Sequence, residues 1–256
     1  TLVAILFGHY VADAGTIEAF GRALPPGQPR AALDAGIGMV HQHSTLADNL
    51  TVLDNVMVGR EPLWRPFSRR SAARARLLEA AKRFGLAVQP DARVGDLSVG
   101  ERQRVEILKA LVGSETRPGA RILILDEPTA VLVPQEVDEL FANLHRLVAD
   151  GATIIFISHK LDEVLAVSDD ITVMRAGTTV AERKPSEVNR GILGELMVGS
   201  ELPSPAGRTS EVGHEVKLRV SDLSVAGIGG RLAVEDVSFE VHDAEVLGVA
   251  GVEGNG

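Results

Sequence analysis

The sequence predicts an α/β fold with a parallel sheet at its core, and two observations support this prediction. Continuous apolar runs at residues 122–125 and 153–157 have the composition of strands that are buried on both faces. Amphipathic segments at 98–112 and 134–150 place apolar residues at helical spacing before and between those runs. Strands that alternate with helices favour a parallel sheet, because parallel neighbours need crossover connections that are usually helical.

The composition is that of a globular protein and excludes several classes of function. Of 256 residues, 45% are hydrophobic and 24% are charged, which suits one large domain or two small ones. The net charge of −9 argues against a general nucleic-acid-binding surface, although 65–76 could form a local basic patch. There are no cysteines, so disulfides and thiolate chemistry are excluded. No apolar run reaches the roughly 18–20 residues that span a bilayer, so we expect any membrane link to pass through a partner protein.

The first part of the chain predicts helices around one short strand. Residues 1–10 have helical character, and the apolar run at 37–40 predicts a buried strand. Residues 45–87 have a mainly helical pattern, which Pro62 and Pro66 interrupt because proline breaks a helix interior.

The helix at 98–112 has a clear start signal. Ser98, followed three residues later by Glu101, matches a capping box. The next helix begins at Pro134, a residue suited to the first helical turn. We expect its buried face to consist of Val137, Leu140, Phe141, Leu144 and Val148.

Beyond the second apolar run, the pattern predicts a short helix at 161–167 and a hairpin around Ala176-Gly177. A stretch rich in proline, glycine and serine then predicts a linker at 199–215. The linker would divide the chain into a first domain, 1–198, and the start of a second domain, 216–256.

In the second domain we expect half-exposed strands at 218–223 and 232–241. A buried apolar strand at 245–250 would follow and lead into the glycine loop 251–256. We also expect the chain to be an interior fragment. Its first helical segment lacks a cap, and its last loop is of the kind that normally opens a helix.

Two adjacent carboxylates, Asp126 and Glu127, follow the apolar run at 122–125. Mg²⁺ prefers carboxylate and water oxygens, and a carboxylate at a strand end can hold this ion directly or through water. A second carboxylate beside it can orient the water that attacks a phosphoryl group. For an isolated Asp-Glu pair, a solvated acidic strand end is the simpler interpretation.

A glycine-containing turn, 97–101, opens the helix at 98–112. Helix N-termini attract phosphate through free N–H groups and the helix dipole, and Gly100 would let an anion approach the backbone closely. On its own, the turn is better explained as a plain capping box. Ser158 and His159 end the second apolar run, where a lone histidine is most often a surface or capping residue.

Two further segments have weaker patterns. The trio His41-Gln42-His43 could suggest a metal site, but adjacent residues of an extended strand point to opposite faces and glutamine is a poor ligand. We therefore expect His41 and His43 to be structural. The glycines of 251–256 have the spacing of a phosphate loop, a pattern with a high chance rate that the apolar run before it strengthens.

Taken in order along the chain, the segments 97–101, 122–128 and 154–159 resemble the motifs of the ATP-binding cassette (ABC) ATPase family. The resemblance implies a P-loop NTPase-type ABC cassette with a parallel-sheet core, a helical subdomain and antiparallel β elements, plus the start of a second cassette. It also implies ATP and Mg²⁺ as cofactors, and ATP hydrolysis coupled to transmembrane transport as the activity.

The resemblance assigns roles to individual residues near the strand ends. Asp126 would be the Mg²⁺ carboxylate of the Walker B strand, and Glu127 would be the catalytic base. His159 would be the switch histidine, which contacts the terminal phosphate and helps to position Glu127 and water. Gln42, in the Q-loop, would approach both Mg²⁺ and the attacking water, and so takes a catalytic and a metal-binding role.

Other residues would bind ATP. In the family, the signature motif at 97–101 serves the ATP held by the opposite cassette, so hydrolysis needs two cassettes face to face. The chain's first residue would continue one phosphate loop, and its last glycines would begin a second. The residues expected to bind ATP are Thr1, Ser98, Gly100, Glu101, Gly251, Gly254 and Gly256.

Two segments depart from the family's commoner pattern. Val99 stands where glycine is commoner and Glu101 where glutamine is commoner, although Ser98 and Gly100 keep the phosphate-facing positions. The segment 130–133, Ala-Val-Leu-Val, has no acidic or polar residue of the kind that the family usually directs at the other cassette.

The tandem layout resembles the ATPase subunits of simple-sugar and nucleoside importers, and 38–43, 98–101 and 128–132 are closer to the nucleoside branch. The implied partners are transmembrane permease subunits, contacted through 45–60, and the second cassette of the same polypeptide. A periplasmic or lipoprotein substrate-binding protein would act indirectly, and no nucleic acid is expected. The implied location is peripheral, on the cytoplasmic face of the cell membrane.

Two alternatives come from other classes of protein. A soluble ABC ATPase acting on ribosomes or DNA typically carries a charged insertion or a coiled-coil arm, whereas here the linker is short and 71–86 is one ordinary helix. A regulatory module that binds nucleotide without hydrolysis would not need Glu127 and His159. In related tandem proteins the second phosphate loop often lacks its lysine, which would leave one competent site.

Overall fold

The computed structural model describes residues 1–42, 44–59, 69–113, 119–199, 212–226 and 232–249. The chain divides into two compact units, Thr1–Ser200 and Glu201–Gly256. The first unit contains a parallel sheet with helices, and the second contains an antiparallel hairpin.

The helices and strands of the first unit alternate as the sequence predicts. Up to the signature segment they are α1 (Leu2–Phe7), β1 (Glu18–Ala19), β2 (Arg22–Ala23), α2 (Pro29–Asp34), β3 (Ile37–Val40), α3 (Val52–Met57), α4 (Arg70–Phe84) and α5 (Val99–Leu111). The remaining elements are β4 (Ile122–Asp126), α6 (Pro134–Ala149), β5 (Thr153–Ile157), α7 (Leu161–Val167), β6 (Ile171–Arg175), β7 (Thr178–Arg183) and α8 (Arg190–Val198). The predicted helices at 98–112, 134–150 and 161–167 are confirmed to within a residue.

The parallel sheet has the order β3-β4-β5, with β4 in the middle. Its register pairs Val40 with Leu125, and Asp126 with Ile157. Because the carboxyl ends of parallel strands meet at one edge, the residues that follow the three strands converge there. This edge therefore brings together the loops that carry Gln42, Glu127 and His159.

The central strand β4 divides the core into two layers. Leu123, Ile124 and Leu125 are fully buried. Leu123 and Leu125 pack in a cluster with α3–α6, whereas Ile124 packs in a cluster with α1 and α2. Successive side chains of a strand point to opposite faces, so the continuous apolar run is explained by burial on both sides. Each such side chain contributes roughly 1.5–3 kcal/mol through removal from water.

The strand β5 is half-exposed, so the prediction that it is fully buried is wrong. Within the described residues, β5 pairs with β4 alone. An open depression of about 600 Å³ runs beside it and is lined by the strand together with parts of α1 and α6. An apolar run cannot indicate whether a strand has neighbours on one side or on both.

The buried face of α6 is rotated from the predicted one. The buried side chains are Leu140, Asn143, Leu144 and Leu147, whereas the exposed fraction of Val148 is 45%. Leu140, Leu144 and Leu147 follow the helical period. The predicted stripe included Val148, whereas the residue that is buried is its neighbour Leu147. The two are adjacent, and packing against α4 and β5 decides which of them faces the core.

The helical expectations for 1–10 and 45–87 are only partly confirmed. Helix α1 ends at Phe7, because Gly8 takes the left-handed conformation with φ 88°, and a Cβ there would lie 2.8 Å from the Gln28 carbonyl carbon. Residues 44–51 are not helical, and α3 starts only where the Thr51 side chain accepts a hydrogen bond from the Asp54 N–H. The two prolines at 62 and 66 lie outside the described residues.

The end of the first unit is an antiparallel hairpin, β6–β7, with the helix α8 packed on it. The predicted turn is confirmed, since Ala176 and Gly177 both have positive φ angles, 50° and 79°. Ile171, Val173, Ala181 and Leu193 form the buried cluster of this region.

In the second unit, β8 (Val216–Ala226) pairs with β9 (Leu232–His242), which confirms the two predicted strands. The predicted buried strand at 245–250 is not formed: residues 245–249 are outside any strand, and the exposed fraction of Val249 is 89%. A buried parallel strand needs neighbouring strands and covering layers, and the described part of this unit supplies only the hairpin. Most of the predicted linker, 200–211, lies outside the described residues. No helix in the described part of the chain is both long and apolar enough to cross a membrane.

Candidate functional site

Three loops converge on the Glu127 carboxylate at the carboxyl edge of the sheet. The Gln42 side-chain amide donates to Glu127 Oε2 at 3.3 Å, and His159 Nδ1 lies 3.0 Å from Glu127 Oε1. A carboxylate oxygen can only accept, so His159 donates from Nδ1. The structure thus brings together all three residues that the sequence analysis assigned to catalysis.

The backbone of Glu127 is held in an unusual conformation. Its φ angle is 47°, in the left-handed region that residues other than glycine rarely adopt. The Glu127 N–H donates to the Ile157 carbonyl at 2.9 Å, which fixes the turn to the end of β5. Strained residues of this kind concentrate at functional sites, where the surroundings over-determine them. The exposed fraction of the Glu127 side chain is 27%, so the carboxylate is oriented and still reachable from solvent.

Asp126 is the last residue of β4 and is positioned beside Ile157 of β5. Its negative charge reaches His41, where it opposes the lowering of the histidine pKa. Mg²⁺ usually keeps several waters and takes one or two protein carboxylates together with phosphate oxygens. Asp126 and the Gln42 side-chain oxygen are donors of the kind that Mg²⁺ accepts. The described residues contain no group of three or more His, Cys, Asp or Glu side chains that would hold a metal by themselves.

A second polar network joins the loop after Glu127 to the loop before His159, and the sequence did not indicate it. Glu163, in the first turn of α7, accepts hydrogen bonds at Oε2 from the hydroxyls of Thr129 and Ser158, the latter at 3.2 Å. Lys160 lies 3.2 Å from Glu163 Oε1 and donates to the Thr129 carbonyl at 2.8 Å. The only sequence signal was an acidic residue in the first turn of a helix, which on its own indicates favourable helix-dipole charge.

The N-terminus of α5 is a complete capping box, as predicted. Ser98 Oγ accepts from the Glu101 N–H at 3.3 Å, and Glu101 Oε2 accepts from the Ser98 N–H at 2.9 Å. The backbone hydrogen bond from Ser98 holds the pKa of the Glu101 carboxyl below its usual value. Gly100 is buried, and a Cβ there would lie 2.3 Å from Glu136 Oε1. Each of the two polar side chains of segment 97–101 thus accepts a hydrogen bond from the backbone N–H of the other residue.

Helix α5 also contacts the loop that follows Glu127. The Gln103 side chain donates to the Pro128 carbonyl at 2.6 Å, and Arg104 donates to Glu139 of α6 at 3.4 Å. These contacts position α5 against the 128–133 loop, but among the described residues no hydrogen bond joins the side chains of Ser98 or Glu101 to Glu127. The roles of Ser98, Gly100 and Glu101 toward ATP stay predictions.

The segment after Gln42 is anchored to α5 through a buried carboxylate. Glu106 Oε1 accepts from the Ser44 hydroxyl at 2.9 Å and from the Thr45 N–H at 2.6 Å. Asn55 then accepts from the Ala47 N–H at 2.8 Å. Hydrogen bonds therefore join the segment after Gln42 to α5 and α3, so that a displacement of α5 would also displace this segment.

The other residues that the sequence singled out are His41 and His43, expected to be structural, and the predicted ATP-binding residues Thr1, Gly251, Gly254 and Gly256. His41 is half-buried beside the rings of His9 and Phe7, at centroid distances of 5.4 and 6.2 Å. Burial, and then the charge of His9, lowers the pKa of His41. Thr1 is exposed ahead of α1. His43 and the three glycines at 251, 254 and 256 lie outside the described residues.

Comparison with known proteins places these features in a family. The family model described as ABC transporter matches residues 1–130. A nucleoside import ATP-binding protein of Lactococcus lactis is 40% identical over 256 residues, a match that spans all of this chain and 50% of the relative. A glucose import ATP-binding protein of Haloferax volcanii is 42% identical over 284 residues, with 100% and 51% covered. The chain thus spans about half the length of the curated relatives it matches.

Solved structures show the same fold. An ATP-binding cassette of an ABC transporter in its ADP conformation aligns with a TM-score of 0.64 and 25% identity, covering 78% of this chain and 82% of that one. A nucleotide-free ATP-binding cassette aligns with a TM-score of 0.60 and 26% identity, covering 72% and 74%. The α/β arrangement with a parallel sheet and antiparallel strands is that of these cassettes.

Proposed function

This chain belongs to the ABC transporter family, and we propose that it is part of the ATP-hydrolysing subunit of an importer for nucleosides or simple sugars. The observation that supports this proposal best is the contact of the Glu127 carboxylate with both Gln42 and His159. Glu127 directly follows Asp126, the last residue of β4. A regulatory module that binds nucleotide without hydrolysing it would not need an oriented carboxylate of this kind.

The chemistry assigned to the site is hydrolysis of the terminal phosphoanhydride bond. Glu127 orients a water and accepts its proton as the water oxygen bonds to the terminal phosphorus, and the bridging oxygen leaves with ADP. His159 donates from Nδ1 to Glu127, which keeps the carboxylate aimed at the water. Asp126 and Gln42 would hold Mg²⁺, which when bound neutralises phosphate charge.

We further propose that the site is completed by a second cassette of the same polypeptide. The length of the relatives, about twice that of this chain, supports a tandem arrangement. The N-terminus of α5, with Ser98, Gly100 and Glu101, would face the ATP of the other cassette, as the resemblance of 97–101 to the family's signature motif implies. Thr1 would follow the first phosphate loop, and Gly251, Gly254 and Gly256 would begin the second.

The proposed partners are transmembrane permease subunits, contacted through the segment after Gln42, at the cytoplasmic face of the membrane. Ser44 and Thr45 bond that segment to Glu106 of α5. A movement of the permease would therefore be transmitted to both Gln42 and α5. A substrate-binding protein would act only through the permease.

Nucleoside and glucose import relatives match at nearly equal identity, so we assign the choice of substrate to the permease. Import functions in both relatives favour this proposal over action on ribosomes or DNA.

The test uses the full-length subunit with its permease in proteoliposomes. Glu127→Gln should lower kcat for ATP hydrolysis by about 10²–10⁴-fold, because the proton acceptor is lost while the shape of the side chain is kept. Glu182→Gln, at an exposed position of strand β7, is the matched control and should leave kcat unchanged. Hydrolysis by Glu127→Gln at the wild-type rate would show that the assigned role is wrong. Hydrolysis that ribosomes stimulate and loaded substrate-binding protein does not would refute the importer.

A further inference from the structure

We propose that Glu163 is a positioning residue, which keeps His159 against Glu127 by tying together the loops that carry them. The inference rests on the proposed ATPase function for its kinetic consequence, but its geometric content stands on the contacts alone. In the part of the chain that the structure describes, Glu163 makes no hydrogen bond to Glu127 or His159, and it acts through their neighbours.

The two loops leave the sheet just before the site. The ladder between β4 and β5 ends with Asp126 opposite Ile157, and the Glu127 N–H makes one further bond to the Ile157 carbonyl. Glu127 and His159 are thus beyond the regular backbone pairing. Side chains, rather than the sheet, must fix the separation of the two loops from this point on.

Glu163 supplies that connection from a third element. Its carboxylate accepts from Thr129, two residues after Glu127, and from Ser158, one residue before His159. Thr129 is almost wholly buried, with an exposed fraction of 1%, and the exposed fraction of the Glu163 side chain is 12%. Charged acceptors in a partly buried setting make the stronger hydrogen bonds, so this carboxylate is suited to fixing a distance.

Lys160 closes the network on the other side. Its ammonium lies 3.2 Å from Glu163 Oε1 and donates to the Thr129 carbonyl at 2.8 Å. The carboxylate therefore has a counter-charge as well as two hydroxyl donors, and the ammonium adds a second bond between the same two loops. Removal of Glu163 would leave two hydroxyls without their acceptor and Lys160 without its counter-charge.

The expected consequence is a loss of alignment at the reacting groups, with substrate binding preserved. The Glu163 carboxylate is largely buried and bound to Thr129 and Ser158, so it is not exposed to substrate and KM for ATP should change little. Small displacements of catalytic groups lower rates by roughly 10–10²-fold. A kcat effect with constant KM is therefore what a positioning role predicts.

The experiment compares Glu163→Ala, Glu163→Gln and Asp162→Asn in the full-length subunit with its permease. Asp162 is the matched control: it precedes Glu163 on α7, its exposed fraction is 72%, and it pairs with Arg190. Two readouts are taken, the kcat and KM for ATP and the ring-nitrogen NMR signals of His159 after ¹⁵N-histidine labelling, assigned with His159→Gln.

Glu163→Ala should lower kcat at least about tenfold at near-constant KM and should shift the His159 ring signals. The kcat of Glu163→Gln should lie between those of the wild type and Glu163→Ala. An amide oxygen can still accept a hydrogen bond from a hydroxyl, but it carries no charge to pair with Lys160. Asp162→Asn should match the wild type in both readouts. If Glu163→Ala leaves the His159 signals in place, whatever its effect on thermal stability, the positioning role is refuted. If the wild type hydrolyses no ATP, the proposed function fails, and the His159 signals still decide the role of Glu163.

Discussion

The helices α5 and α6 both begin at loops that border the candidate site, yet their N-termini are stabilised in different ways. Helix α5 has Ser98 as its N-cap. The Ser98 side chain accepts from the Glu101 N–H, and the Glu101 side chain accepts from the Ser98 N–H. Helix α6 begins at Val133, which offers no side-chain acceptor. There, Pro134 presets the first turn, and Glu136 Oε2 accepts from the Val133 N–H at 3.3 Å.

The difference shows that the α5 start is wholly local, whereas the α6 start is only partly so. The α5 cap needs two residues three apart, Ser98 and Glu101, so it would form wherever this sequence becomes helical. The α6 start has only the Glu136 half of such a cap, and Glu136 itself fits because Gly100 of α5 has no side chain. The loop 128–133 therefore depends for the rest on its surroundings, including the buried stripe of Leu140, Leu144 and Leu147.

The largest expected effect comes from removing the local cap. Ser98→Ala should lower the free energy of unfolding by about 1 kcal/mol, within a range of about 0.5–2, because the Glu101 N–H loses its acceptor. Val133→Ala removes no hydrogen bond and should cost less than about 0.5 kcal/mol. Urea unfolding of both variants measures the contrast. Equal losses would mean that the two starts do not differ as described.

A smaller effect of opposite sign is expected from giving α6 the cap it lacks. Val133→Asn should raise the free energy of unfolding by about 0.5–1 kcal/mol, because its side-chain oxygen can accept from the Glu136 N–H. Val133→Asp should gain less than the asparagine variant, since its charge would lie close to the Glu136 carboxylate. The same urea titrations check this order. Destabilisation by both variants would show that the 128–133 loop requires an apolar residue at its end.

The smallest effect concerns the pH dependence of the α5 start. The pKa of Glu101 is lowered in the folded state by the Ser98 N–H, so its contribution is fully present above the ordinary value of 4.5 and is lost as the pH falls through the lower, folded value. Wild-type stability should therefore fall more steeply in this acid range than that of Glu101→Gln. The pKa of Asp54 is also lowered, chiefly by its hydrogen bond from Arg70, but it acts equally in both proteins. Identical acid slopes would exclude a contribution from Glu101.

The sequence predicted most of the features that depend on neighbouring residues. The Ser98 box, the helix start at Pro134 and the turn at Gly177 were all predictable, because a few adjacent residues decide them. The convergence of Gln42, Glu127 and His159 was also predictable, since each follows an apolar strand of one parallel sheet.

The features it did not predict depend on distant contacts. Which of Leu147 and Val148 faces the core is decided by packing, and an apolar run at 245–250 makes no strand without neighbouring strands. Glu163 was overlooked for the same reason. Its partners Thr129 and Ser158 come from other loops, and nothing adjacent to Glu163 in sequence indicates them.

The left-handed backbone of Glu127 has a consequence for how this position can vary. A glycine would adopt φ 47° without steric penalty, and an asparagine would adopt it more readily than most residues. Folding alone would therefore favour replacement of Glu127, and the proposed role in ATP hydrolysis is what would retain it. Where that role is no longer needed, this position should change toward glycine or asparagine, and the free energy of unfolding should rise.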